Sequence, residues 1–210
     1  MKKLNVIDSV PSLAVVWQPG TEGGNAIANL IFGRVNFSAK LPMTFPRSEG
    51  QIPVYYNSYR TGRPWESSYG SWYQDMSKSP LFPFGFGLSY TKFEMGKPSV
   101  SSKTMKSGDK IEVFAEVQNV GNTDGEVILQ LYICDEYSSL VRPIKELKGF
   151  KKIFLKKGEK KKVSFTVTEE TLKFWSANGR FEVEDGSFIL WISESSDVKD
   201  GVKLFYGKNN

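Results

Sequence analysis

Histidine is absent from the 210 residues and cysteine occurs once, at Cys134. No Ser-His-Asp or Cys-His pair can be assembled from such a chain, and neither can a Cys/His zinc site or an intrachain disulfide. Acid–base chemistry near neutral pH would fall to tuned carboxylates, lysine, tyrosine or Cys134. No apolar run approaches the roughly 18 residues that would span a bilayer. The opening MKKLNVIDSVPSLAVVW begins with basic residues, but Asp8 and Pro11 interrupt its apolar stretch and no small-residue cleavage site follows. That argues against a secretory signal; an N-terminus cut from a longer parent is the expectation. What is present is ordinary for a globular chain, with 40% apolar and 24% charged residues and length for one large or two modest domains.

The net charge of +5 is concentrated in Lys151 to Lys162, KKIFLKKGEKKK. Such a run could attract a polyanion. Phe154 and Leu155 interrupt it, however, and Gly158 marks a turn, so it reads as two strand ends with lysines in water, a common guard of sheet edges. Neither a nucleic-acid nor a membrane partner is expected.

Along the chain, LAVVW (13–17) between Pro11 and Pro19 predicts a strand buried on both faces. A PGTEGG turn follows, and Ala26, Ile27, Leu30 and Ile31 then fall at helical spacing, with Gly33 placed for a C-terminal cap. Leu41 to Phe45 predicts another strand. Residues 46–92 are rich in proline and aromatics, including Tyr55, Tyr56, Tyr59, Trp65, Tyr69, Trp72 and Tyr73; a segment of this kind is ordered only by draping over something. Beyond it the pattern turns all-β. Ile111, Val113, Ala115 and Val117 share one face of a strand, and Val127, Leu129, Leu131 and Ile133 one face of the next. Further strands are predicted at 144–150, 152–155, 162–167, 188–192 and 202–206, with a helical turn over 168–174 capped by Thr168. The sum is a β-sandwich of about seven strands, the size of an immunoglobulin-like or fibronectin type III-like domain.

Chemical motifs are scarce. The Gly20–Gly24 turn has the placement of a phosphate loop, but not the spacing, and Glu22 sits where a phosphate would; an interaction with the helix dipole suits it better. Glycoside hydrolysis needs two paired carboxylates. Glu22, Glu66 and Asp75 are the acidic candidates in the N-terminal part, and capping or a surface hydrogen bond accounts for each. Cys134 lies in an alternating strand and reads as a small sheet residue. The stretch RTGRPWESSYGSWY (60–73) offers Trp65, Trp72 and Tyr73 as weak candidates for sugar contact, against a role in gluing the loop to its own domain.

Four blocks in order resemble one family: WQPGTEGGNAIANLIFGRVNFSAKLPMTFP (17–46), GQIPVYYNSYRTGRP (50–64), PLFPFGFGLSYTKFE (80–94) and RPIKELKGFKKIFLKKGEKKKVSFTV (142–167). The family is glycoside hydrolase family 3, and the tail LKFWSANGRFEVEDGSFILWIS is most similar to its bacterial β-glucosidases. Departures are confined to turns, Asn36-Phe37-Ser38-Ala39 for N-P-S-G and Lys157-Gly158 for Pro-Gly.

The resemblance implies an α+β chain: the end of an α/β sandwich (1–46), an aromatic and proline-rich connecting segment (47–96) and an all-β fibronectin type III-like sandwich (97–210). It implies a retaining parent enzyme acting on β-linked oligosaccharides or aryl glycosides. In such enzymes the Asp nucleophile lies in an N-terminal barrel and the Glu acid/base lies upstream of the PG-x-EGG block, so no catalytic residue is carried over and this chain alone is expected to be inactive. No metal or cofactor is implied. The missing catalytic domains are the expected partner, with self-association of the chain as a consequence of their absence. The parent is expected in the periplasm or outside the cell. Two rivals stand beside this reading, a free-standing carbohydrate-binding module and a subunit docking on a separately encoded catalytic chain.

Overall fold

The structure is a computed structural model that describes residues 6–61 and 76–207. Helix α1 spans Val6–Ser9 and α2 spans Gly23–Ile31. Glu22 is the N-cap of α2 without a side-chain bond to the helix amides; its carboxylate accepts from Asn25 Nδ2 at 2.7 Å instead. The C-terminus closes as the sequence predicts. Gly33 holds φ +70°, its amide donates to Leu30 O at 3.1 Å and the Arg34 amide to Asn29 O at 2.9 Å. This double closure needs a left-handed residue, which glycine adopts freely.

The two predicted strands flanking α2 do not form. Residues 12–17 run without regular structure and make no backbone–backbone hydrogen bond among the described residues. Leu13, Val15, Val16 and Trp17 are all exposed. Leu41–Phe45 forms no strand either: Phe45 makes an isolated bridge to Phe82, and Leu41 exchanges backbone hydrogen bonds with Gly85 and Phe86. For 12–17 the physical reason is that a strand needs a neighbour to satisfy its amides, and the described residues supply none there; Leu41–Phe45 has residues 81–86 beside it but meets them only at its two ends.

The all-β part forms as expected. Strands β1 (Phe93–Met95), β2 (Ser99–Val100) and β7 (Lys160–Thr168) all pair antiparallel with β4 (Lys110–Asn119), β7 on the opposite edge from the other two. The second sheet has the order β3 (Thr104–Met105), β11 (Val202–Tyr206), β10 (Gly186–Ser193), β5 (Gly125–Asp135), β6 (Glu146–Leu155). The two strands predicted over 144–155 are one continuous β6. A small hairpin, β8 (Phe174–Trp175) with β9 (Phe181–Glu182), stands apart. Between the sheets lie the alternating residues named above, joined by Val163, Phe165 and Val167 of β7 and Phe188, Leu190 and Ile192 of β10. The helical turn is shorter than predicted, α3 at Glu169–Leu172, with Thr168 in a capping box with Thr171. The basic run sits at the β6–β7 arch as a solvated face: Lys152 pairs with Glu126 and Lys160 with Glu116, each at 2.6 Å, and Lys162 Nζ lies 3.5 Å from the Phe114 ring centroid.

Candidate functional site

Strand β5 is buried on both faces from Leu129 onward. Its inner face meets the opposite sheet; its outer face, Gln130, Tyr132 and Cys134, is covered by the draped segment. Tyr56 stacks on Phe84 with centroids 4.4 Å apart and meets Tyr132 edge-on at 5.8 Å. Gln130 is the hub. Its Nε2 donates to Glu194 O at 2.7 Å and to Gly85 O at 3.3 Å, and its Oε1 accepts the Tyr132 hydroxyl proton. Burial pushes the Tyr132 phenol far above its ordinary pKa, a Coulombic contribution from Tyr56 adding to it, so it stays a neutral donor. Gly85 is held at φ +79° with a Cβ position only 2.3 Å from Gln130 Oε1, so only glycine fits there. The Phe84 carbonyl accepts from the Ser196 amide at 2.8 Å. Lys40 Nζ bonds Gly87 O at 2.7 Å and pairs with Glu194 at 3.4 Å.

Farther along the seam, Arg60 donates to Glu136 O at 2.7 Å and to Cys134 Sγ at 3.2 Å. Burial pushes the Cys134 thiol up, with Arg60 pulling the other way, so no thiolate nucleophile forms. Beside it, burial raises the Asp135 carboxyl to about 6, while Arg142 acts in the opposite direction. Arg142 itself bonds Glu146 and lies 4.2 Å over the Phe174 ring.

Two open depressions flank the seam. One, of about 640 Å³, is lined by Phe32, Arg34, Asn36, Tyr90 and Asp124. The other, of about 360 Å³, contains Lys40, Leu88, Glu126 and Glu194. Its two carboxylates are each held by a lysine, Glu194 by Lys40 and Glu126 by Lys152. Asp135, the carboxyl with the pKa of a general acid, lines neither depression. Among the described residues no group of acidic or Cys side chains could hold a metal ion. Glu22 stands alone on the exposed turn before α2. Trp65, Glu66, Trp72, Tyr73 and Asp75 lie outside the described residues. In the seam, one buried amide side chain ties the draped segment to the sandwich.

Residues 1–90 match the glycosyl hydrolase family 3 C-terminal domain, and residues 127–196 the fibronectin type III-like domain. The chain belongs to glycoside hydrolase family 3, as the C-terminal part of its β-glucosidase-like members. It is 48% identical over 190 residues to a periplasmic β-glucosidase of Salmonella typhimurium, covering 88% of this chain and 25% of that protein. It is 40% identical to a β-xylosidase of Formosa agariphila over 93% of this chain and 27% of the relative. The crystal structure of a Listeria innocua β-glucosidase in complex with glucose superposes with a TM-score of 0.90 at 37% identity, over 97% of this chain and 29% of that one. The family 3 chain thus spans about a quarter of the length of the curated relatives it matches. No helix among the described residues is long and apolar enough to cross a membrane.

Proposed function

We propose that this chain is the structural C-terminal part of a retaining β-glucosidase-like hydrolase. It completes an α/β sandwich with residues 12–17 and α2 and braces that sandwich against the fibronectin type III-like domain. The observation that carries the reading is the segment Leu13–Trp17. It is apolar and exposed, unpaired along its backbone among the described residues, and turns left-handed at Trp17, φ +46°. Those are the properties of an internal strand of a parallel sheet seen without its neighbours. In this reading the two catalytic carboxylates lie in the part of the relatives' length that this chain does not span, and the chain alone hydrolyses nothing. The substrate of the whole enzyme is a terminal β-glycosidic bond, cleaved with retention through a glycosyl-enzyme intermediate. Its compartment is the periplasm or the exterior, in line with the Salmonella relative.

The test is a chimera in which this chain replaces the matching C-terminal quarter of the Salmonella β-glucosidase. The chimera should hydrolyse an aryl β-glucoside, the Salmonella enzyme cut before that quarter should not, and the isolated chain should give background rates. An inactive but folded chimera, or turnover by the isolated chain, would refute the assignment.

A further inference from the structure

We infer that the outward face of the β8–β9 hairpin is a surface site for a β-linked glucan chain, an inference that rests on the β-glucosidase reading above. Trp175 and Phe181 stand directly opposite each other across the hairpin. Their ring centroids are 5.6 Å apart with the planes tilted by 49°, and the two residues are 66% and 47% exposed. Together they make an exposed aromatic pair on one face of the hairpin. The hairpin is rigid for identifiable reasons. The alternate residues Phe174 and Ser176 point inward and are buried, and Phe174 lies beneath the Arg142 guanidinium. Gly179, at φ +69°, allows the tight turn, closed by the Ser176 amide on Arg180 O at 2.9 Å. The Ala177 amide donates to Ser139 Oγ at 3.0 Å, and the Ser139 amide to Glu184 at 2.8 Å, so the turn is fastened to the neighbouring loop. The backbone that carries Trp175 and Phe181 is therefore fixed before any ligand arrives, which lowers the entropic cost of binding.

The ligand class follows from the chemistry of the face. A β-linked glucose unit carries its hydroxyls equatorially and presents axial C–H bonds above and below the ring. Those C–H bonds complement the electron-rich faces of Trp and Phe. The exposed turn residues Asn178 and Arg180 add hydrogen-bond donors at the rim for the equatorial hydroxyls. The face is an open ledge outside both depressions, which suits an extended polymer over a buried monosaccharide. Its role is to hold the polymer near an active site located elsewhere.

The test is affinity electrophoresis of the 210-residue chain in gels containing a soluble β-1,3-glucan, hydroxyethyl cellulose or an α-linked dextran. The wild-type chain should be retarded by one or both β-glucans and not by dextran. Trp175→Ala should lose at least tenfold in affinity and Phe181→Ala severalfold. Phe205→Ala, which removes an exposed aromatic on β11, should behave as wild type. Circular dichroism melts establish that each variant is folded. Absence of retardation, equal retardation of Trp175→Ala, or retardation by dextran alone would overturn the inference. So would a Trp175→Ala substitution that lowers the melting temperature of the chimera and not of the isolated chain, because the hairpin would then pack against the rest of the enzyme. An active chimera with no glucan retention would overturn the hairpin site and leave the enzyme assignment; glucan retention with an inactive chimera would do the reverse.

Discussion

Gly85→Ala is the sharpest probe of the seam. Two costs are built into the position. An alanine at φ +79° pays about 1–2 kcal/mol for the left-handed conformation. Its Cβ would also lie 2.3 Å from Gln130 Oε1 and 2.6 Å from Nε2, so the Gln130 side chain must leave. Departure strands the Tyr132 hydroxyl and the Glu194 carbonyl, both partners of Gln130, and buried groups left unpaired cost about 1–3 kcal/mol each. The total is about 3–8 kcal/mol, charged to the docking of the draped segment and not to the sandwich core. Hydrogen exchange reads this directly. The amides of Leu41, Gly85 and Ser196, whose partners are Phe86 O, Leu41 O and Phe84 O, should lose protection by about two orders of magnitude or more. Those of Leu129 and Leu190 should be unchanged. A double-mutant cycle separates the two costs. In a Gln130→Ala background the collision is gone, so Gly85→Ala should cost only about 1–2 kcal/mol. A loss of protection below tenfold, or the same cost in both backgrounds, would refute Gln130 as the hub.

Asp135 gives a pH signature. Its folded pKa of about 6 lies above the unfolded value, so the folded state binds the extra proton. The contribution is fully present below about pH 4 and is lost as pH rises through 6, by about 2–3 kcal/mol in all. Asp135→Asn should therefore be more stable than wild type at pH 7 and equal to it at pH 4 in urea melts; a difference that does not change with pH would contradict the cause assigned. A span from Thr91 onward, which keeps β1 on β4, should melt cooperatively, at a lower temperature than the full chain because the outer face of β5 is uncovered. A broad, non-cooperative melt would show that the sandwich depends on the draped segment.

The sandwich was legible because alternation reports a half-buried strand directly, and β4 and β5 bury the residues that alternation selects. The helix end at Gly33 and the cap at Thr168 were legible for a related reason, since local backbone geometry chose those residue types. Leu13–Trp17 reads the same way as β5 in sequence, yet it forms no strand. An apolar run records an environment in which its amides find partners, and those partners are not among the described residues. The seam left a fainter trace. The outward positions of β4 carry Lys110, Glu112, Phe114, Glu116 and Gln118, mostly polar, whereas those of β5 carry Glu126 and then Ile128, Gln130, Tyr132 and Cys134. That contrast marks β5 as covered twice, but alternation within a single strand cannot reveal it; only comparison of two strands does. Trp175 was hidden by a different overlap. The helical turn read over Thr168–Phe174 ran two residues past the end of α3 at Leu172, and the inward–outward alternation of Phe174, Trp175 and Ser176, too short to register as a strand, is what turns the indole to solvent.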